Sequence, residues 1–542
     1  MKRMIYKAVI APAFAIVLFL SSCTKIDDSV YSDIVASKYT FTKDDLSGIV
    51  GSAYTPYRGQ AMGWGNPQLN DWSSDQVVVG TKPWGWYDGG KWKRLFDHKL
   101  ETTDEQPTWT WDNCYKAINN INRTIYQIEK GLLPLEKGKK ELLAELKAVR
   151  ALNYYSLCDI YGNVPYLTKF DVPQGFLPEQ TNRKALYDSI VSELTTSMPL
   201  LSETVDQTTY GRFNKYAATA LLARMYLNAQ VYSGTPQLDK CIAACDVIIN
   251  SGKFELAANQ KDNFVTDNQS CKEAVFAIPY DSKYAGGFSL FRIAVMGQQQ
   301  QQFNAINGGG WGACNMIPQF IDTYDPDDSR LKDNYLKGLQ RSASGDTLRC
   351  GFGPIAGKPL ILKNDIEGYD NCLETSGYQL GKYEFKIGLD ANSLDNDYFM
   401  FRYADILMMK AECLLRKGNA SGAAVIVTQV RQRCFKSNPA KATVTGDQLT
   451  KGSSYAYGLK DRIYNWNTNE GGADVQYGRM LDELGWEFDQ EARRRQDMIR
   501  FGIYSSKSWL SHKSDGDNHT NLFPIPQKEI DKNPKIKQNP GY

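Results

Sequence analysis

Histidine is scarce in this chain: only His98, His512 and His519 occur among 542 residues. So few imidazoles leave little scope for histidine metal centres or serine-type triads. An excess of one charge is also missing. Lys and Arg number 63 against 61 Asp and Glu, a formal net charge of +2, which is no field for a polyanion, and no nucleic-acid partner is expected. Beyond the first 22 residues no stretch approaches the roughly 18 apolar residues of a membrane span. HExxH, GxSxG and P-loop motifs are absent, as is a GxGxxG opening a helix. The glycine run Gly308-Gly309-Gly310-Trp311-Gly312 has the wrong spacing for a phosphate cradle and carries a crowding Trp. Asp322, Asp325, Asp327 and Asp328 lack EF-hand spacing and read as a turn with helix-capping acids. No catalytic residue, metal or cofactor is therefore expected.

What is present begins with a leader. Lys2, Arg3 and Lys7 precede an apolar stretch from Ala8 to Leu20, too short to span a bilayer and suited to a secretory signal. Leu20-Ser21-Ser22-Cys23 follows and resembles a bacterial lipobox, in which the Cys is lipidated and becomes the first mature residue. Residues 1–22 are then signal peptide, and Cys23 anchors the chain to a membrane without a spanning helix. Lys25, Asp27 and Asp28 sit in the tether behind it. Ten further cysteines contain no CxxC pair and read mainly as small buried apolar residues. An extracytoplasmic setting would allow one or two disulfides among them, with the pairing open.

Apolar residues recur at helical spacing over 140–160, 215–231, 239–250, 401–417 and 421–434. Within 407–430, Ala411, Leu414, Gly418, Ala423, Val427 and Val430 fit the small and large positions of a tetratricopeptide repeat. Ala223 with Tyr226, and Ala151 with Tyr154, repeat the first two positions. The expected fold is mainly α: tetratricopeptide-like helix pairs forming a scaffold with long loop-rich insertions. Loops of such length are where function concentrates.

Seven of the eleven Trp fall between 64 and 111. In TKPWGWYDGGKW, residues 81–92, Pro83, Gly85, Gly89 and Gly90 break regular structure, so Trp84, Trp86, Tyr87 and Trp92 occupy a loop. Indole faces match the C–H patches of sugar rings, and Asp88, Lys82 and Lys91 are at hand for hydroxyls. The loop reads as a ligand platform, with the alternative that Trp84 and Trp92 plug it onto the helices. Trp109 and Trp111 precede a periodic stretch and are expected in the core.

These features, with the segments AELKAVRALNYYSLCDIYGNVPY, FRYADILMMKAECLLRKGN, WEFDQEARRRQDMIRFG and the terminal FPIPQKEIDKNPKIKQNPGY, make the chain resemble SusD/RagB family lipoproteins over essentially its whole length. The resemblance implies a non-enzymatic nutrient-binding protein on the outer membrane, facing the cell exterior. Such a protein captures a glycan and sits as a lid over a SusC-like TonB-dependent transporter. The alternative it implies is a lid subunit taking a peptide or other non-glycan ligand. By position Trp84, Trp86 and Tyr87 match the family's early ligand loop, and Tyr284 and Trp311 its mid-chain contributions. The implied organisation is a tether over 23–50, an N-terminal part over 51–270 and a C-terminal part over 271–542, packed as one unit. Arg493-Arg494-Arg495 falls in a structural helix of the family, with Glu487, Asp489, Glu491 and Asp497 as expected local partners.

Overall fold

The computed structural model describes residues 43–542 apart from 63, 134 and 136, so the leader, Cys23 and most of the tether lie outside the described residues. The principal helices are α1 (Lys43–Ala61), α2 (Lys91–Phe96), α3 (Glu105–Glu129), α4 (Lys139–Ile160), α5 (Arg183–Ser197), α6 (Lys215–Leu227), α7 (Leu238–Asn250), α8 (Tyr403–Arg416), α9 (Ala420–Gln432), α10 (Gly478–Phe488) and α11 (Arg494–Arg500). Four strands matter for the argument: β1 (Val77–Val78), β2 (Ala274–Ile278), β3 (Asn315–Met316) and β4 (Tyr398–Arg402).

Local chemistry starts several of these helices. Asn182, Asn214 and Asn419 each turn a side-chain oxygen onto orphan backbone N–H groups at the N-termini of α5, α6 and α9. Gly418 adopts φ +87° in the turn between α8 and α9, a conformation an L side chain resists. Packing then follows the chain: α1 on α3, α3 on α4, α4 on α5, and α6 on α7, α7 on α8, α8 on α9. Ala151, Ala223, Ala411 and Ala423 are all fully buried, the small positions that let neighbouring helices approach. The fold is thus mainly α with tetratricopeptide-like pairs, as the periodicity indicates. One contiguous buried cluster runs from Ala53 to Ile536.

Two boundaries differ from the sequence reading, each for a non-local reason. The helix expected from 401 starts at Tyr403, because Phe401 and Arg402 belong to β4, antiparallel to β2 with Tyr398 opposite Ile278. The helix expected over 215–231 ends at Leu227 and restarts at Ala229. At the break, the Asn228 amide donates to Arg224 O and Gln496 Oε1.

The arginine run is structural, but its partners are mostly not local. Arg493 pairs with Asp405 and Asp497, Arg494 bidentately with Asp75 at 2.8 Å, and Arg495 with Asp159 at 3.1 Å. Glu487 and Glu491 instead hold buried cations from elsewhere. Glu487 pairs with Arg330, Arg402 and Arg433, and Glu491 with Lys382 and Arg402. Asp489 takes the Tyr335 hydroxyl at 2.6 Å. Asp328 caps the short helix Ser329–Asp333, while Asp325 and Asp327 share Lys441, which is the capping turn expected of that acidic cluster. All ten described cysteines are free thiols, nine of them buried.

Candidate functional site: an aromatic cleft

The two segments that carry the loop aromatics are far apart in sequence and are tied together by backbone. β1 lies just before the early loop and β3 just after the glycine run. They pair antiparallel, Val77 opposite Met316 and Val78 opposite Asn315. Lys82 then folds inward, donating from Nζ to Gly80 O (3.1 Å) and Ala313 O (2.7 Å). It cross-links the segments and is not available to a ligand, contrary to the sequence expectation. Burial lowers its pKa. A tight turn closes between Lys82 and Gly85, whose backbones exchange hydrogen bonds of 3.0 and 3.1 Å. Trp86 follows at φ +67°, an uncommon conformation for a bulky residue.

The glycine run is a strap laid on the segment from 292 to 297. Trp311 N donates to Arg292 O (2.6 Å) and Gly312 N to Val295 O (2.7 Å). A Cβ on Gly310 would lie 2.0 Å from Val295 O, so only glycine permits this approach. The strap presents the Trp311 carbonyl to the early loop, where it accepts from Trp84 Nε1 (3.2 Å) and Trp86 Nε1 (3.0 Å). One carbonyl thereby fixes the polar edges of two indoles, both partly buried, at the wall of the cleft.

Around this junction opens a cleft of ≈ 730 Å3, within the range of small-ligand sites. Trp64, Trp84, Trp86, Trp92, Trp109, Trp311 and Phe352 line it, with Asp88, Lys91 and Glu105 as the charged groups. Trp64 is the hub: its ring centroid lies 6.0 Å from Trp311, 5.6 Å from Trp109 and 6.1 Å from Trp92. Phe352 lies 5.5 Å from Trp84 with a 30° interplanar angle. The Arg292 guanidinium is 5.3 Å from the Trp311 ring centroid. Lys91 pairs with Glu105, and Asp88 accepts from Trp92 Nε1 at 2.7 Å.

The structure sorts the residues singled out from sequence. Trp84, Trp86 and Trp311 converge, and Asp88 joins them at the rim. Trp92 reaches the cleft, but it is only 2% exposed and forms its floor. Tyr87 is exposed beside the cleft and does not line it. Tyr284 stands exposed on the turn between Asp281 and Ala285, outside the lining set, with Lys283 4.7 Å from its ring. Trp111 is buried as expected, whereas Trp109, two residues earlier in α3 and so on nearly the opposite face of the helix, is half-buried and lines the cleft. Sequence reasoning also missed Trp64 and Phe352. Trp64 carried a signal, as a lone aromatic among Gly and Asn at residues 63–66. Phe352 carried none.

Fold and cleft together define a class of protein: a helical-repeat scaffold whose insertions, not its helices, build an open aromatic face. Comparison gives the class its family. A model described as "SusD family" matches residues 369–542, and one described as "Starch-binding associating with outer membrane" matches residues 63–227. The chain belongs to the SusD/RagB family. It is 26% identical over 457 residues to SusD-like protein P25 of Formosa agariphila, covering 80% of this chain and 79% of that one. It is 23% identical over 502 residues to the starch-binding protein SusD of Bacteroides thetaiotaomicron, covering 85% and 83%. Among solved structures, surface glycan-binding protein A of B. thetaiotaomicron in complex with laminarihexaose superimposes with a TM-score of 0.67 at 18% identity, over 92% of this chain and 100% of that one.

Proposed function

We propose that this protein is a cell-surface glycan-binding lipoprotein that captures oligosaccharides in the Trp64–Trp311 cleft and passes them to a SusC-like TonB-dependent transporter. The observation that carries the reading is the convergence of six Trp from separate segments on one open face, with indole edges held by protein groups. Indole surface reaching an open cleft is what a sugar's C–H patches require, and the rim charges supply partners for hydroxyls. Relatives named for starch, laminarin and glycan binding support the same ligand class. The cleft's two carboxylates are both engaged, Glu105 with Lys91 and Asp88 with Trp92. In this reading the protein binds its ligand and does not turn it over.

Calorimetric titration of the mature protein against starch-, laminarin-, xylan- and mannan-derived oligosaccharides tests this. At least one series should bind. Trp84→Ala or Trp311→Ala should weaken binding several-fold, since an aromatic contact of this kind is worth about 1 kcal/mol. Binding unchanged in both variants would refute the cleft assignment. Product analysis of the same mixtures should show no shortened glycan. Anchoring is tested separately: Cys23→Ala, expressed in a strain lacking the transporter, should leave the outer-membrane fraction.

A further inference from the structure

Two of the three histidines meet in the interior, beneath α2. His98 and His512 are 4% and 0% exposed, with ring centroids 4.3 Å apart. Their outward nitrogens are spoken for by backbone carbonyls: His98 Nε2 lies 2.7 Å from Ser73 O, and His512 Nδ1 lies 2.8 Å from Phe96 O. A carbonyl only accepts, so each of those nitrogens carries the N–H. This fixes both tautomers if the rings are neutral, and puts the lone pairs on His98 Nδ1 and His512 Nε2. His98 Nδ1 points at Asp515 Oδ2, 2.8 Å away and 417 residues along the chain. His512 Nε2 is buried without a hydrogen-bond partner. One ring nitrogen from each histidine and an Asp515 oxygen all lie within 4.8 Å of one another.

A lone pair facing a carboxylate oxygen at 2.8 Å is repulsive unless a cation lies between them. A proton would serve His98 and Asp515 but would leave His512 Nε2 unmatched. A metal ion would use all three. We propose that His98 Nδ1, His512 Nε2 and the Asp515 carboxylate form a binding site for one zinc-class divalent ion. The surroundings have the form of an outer shell for such a site. Each histidine is oriented through its other nitrogen by a carbonyl, and Asp515 accepts from Thr520 Oγ1 at 2.6 Å. Tyr504 stacks on His98 and Trp509 on His512, both at 4.0 Å, walling the site with apolar rings. Two imidazoles and one carboxylate at this spacing suit ligand bonds of about 2.0–2.2 Å and favour Zn2+ over the oxygen-seeking Ca2+ or Mg2+. The ion would staple the segment 512–515 to the C-terminal end of α2, the helix that carries Trp92.

The test uses the mature chain with any affinity tag removed, stripped with chelator and then exposed to zinc sulfate. After gel filtration, elemental analysis should find about one zinc per chain, and the melting temperature should rise on zinc addition. Asn at 512 can keep a donor toward Phe96 O while offering no ligand in place of Nε2. His512→Asn and Asp515→Asn should therefore fold, retain no zinc and show no zinc-dependent melting shift. Cobalt loading of the wild-type chain needs no variant: it should give the intense visible bands of a four-coordinate ion. Absence of retained zinc, equal retention in both variants, or only the pale spectrum of cobalt in buffer would each overturn the site. Any of these would leave a proton as the cation between His98 and Asp515.

Discussion

At the scale of single residues, the decisive distinction is between aromatics that line the cleft with free ring area and those that only appear to belong there. Trp311 is 44% exposed and Trp92 is 2% exposed, yet both touch the same cavity. Trp311→Ala should lower glycan affinity with little change in melting temperature. Trp92→Ala removes a buried indole and should destabilise the fold by about 3–5 kcal/mol in chemical denaturation. Tyr87→Ala and Tyr284→Ala should leave both affinity and stability near wild type, because neither ring lines the cleft. The segment TKPWGWYDGGKW was legible as a Trp-rich loop because its Trp sit among glycines, although Trp92, expected in that loop, lies in α2. Which ring would face inward was not legible, since that depends on what α2 packs against.

At the scale of elements, the cleft depends on two straps meeting. The β1–β3 pairing sets the register, the Lys82 ammonium locks it, and the Trp311 carbonyl holds the indole edges of the early loop. Gly310 is the pinch point. A methyl group there would lie 2.0 Å from Val295 O, so Gly310→Ala must lift the strap and withdraw the Trp311 carbonyl. The expected outcome is a fall in glycan affinity comparable to that of Trp311→Ala, with the Trp311 side chain still present. Intrinsic Trp fluorescence should change at the same time, since Trp84 and Trp86 lose their shared acceptor. Wild-type affinity in a folded Gly310→Ala variant would show that the strap does not position the site. The helices between these straps read directly from periodicity. The two-residue strands did not, because a ladder that short has no pattern of its own and exists only where tertiary structure brings its halves together.

At the scale of the whole molecule, the N- and C-terminal parts are joined by buried ionic contacts. Arg494 with Asp75 and Arg495 with Asp159 connect residues more than 300 positions apart. Other buried carboxylates, Glu487, Asp497 and Asp71, make stability depend on pH. Burial pushes the Glu487 and Asp497 carboxyls up, but adjacent arginines outweigh it and hold both well below the usual range. Their contribution is present above the unfolded pKa and is lost on strong acidification. Asp71 behaves in the opposite way. Burial, then the nearby Asp489, raise it to about 7, against the backbone N–H groups of Ala492 and Arg493 that favour its charged form. Between its ordinary pKa near 4 and this value, the folded chain holds a proton that the unfolded chain has released. Asp71 therefore contributes stability at the acid end of that window, and this is lost as pH rises through 7. Asp71→Asn keeps an oxygen for those N–H groups, so its denaturation midpoint should fall less than wild type between pH 5 and pH 8. Parallel wild-type and variant curves would rule out Asp71 as the titrating group.

Sequence alone determined the balance of charge, the helix pairs and their small-residue contacts, and the density of aromatics in one early segment. The helix pairs and the aromatic segment rest on local spacing: 3.6-residue periodicity, and glycine next to tryptophan. The family resemblance added the mid-chain partner Trp311, and with it Tyr284, which does not line the cleft. Tertiary structure alone decided the rest. It recruited Trp64, Trp109 and Phe352, turned Lys82 inward, and gave the arginine run distant partners. It also brought His98 and His512 together from opposite ends of a chain with almost no histidine. These are contacts between residues hundreds of positions apart, and they follow from how the helix layers close on one another, which no local pattern records.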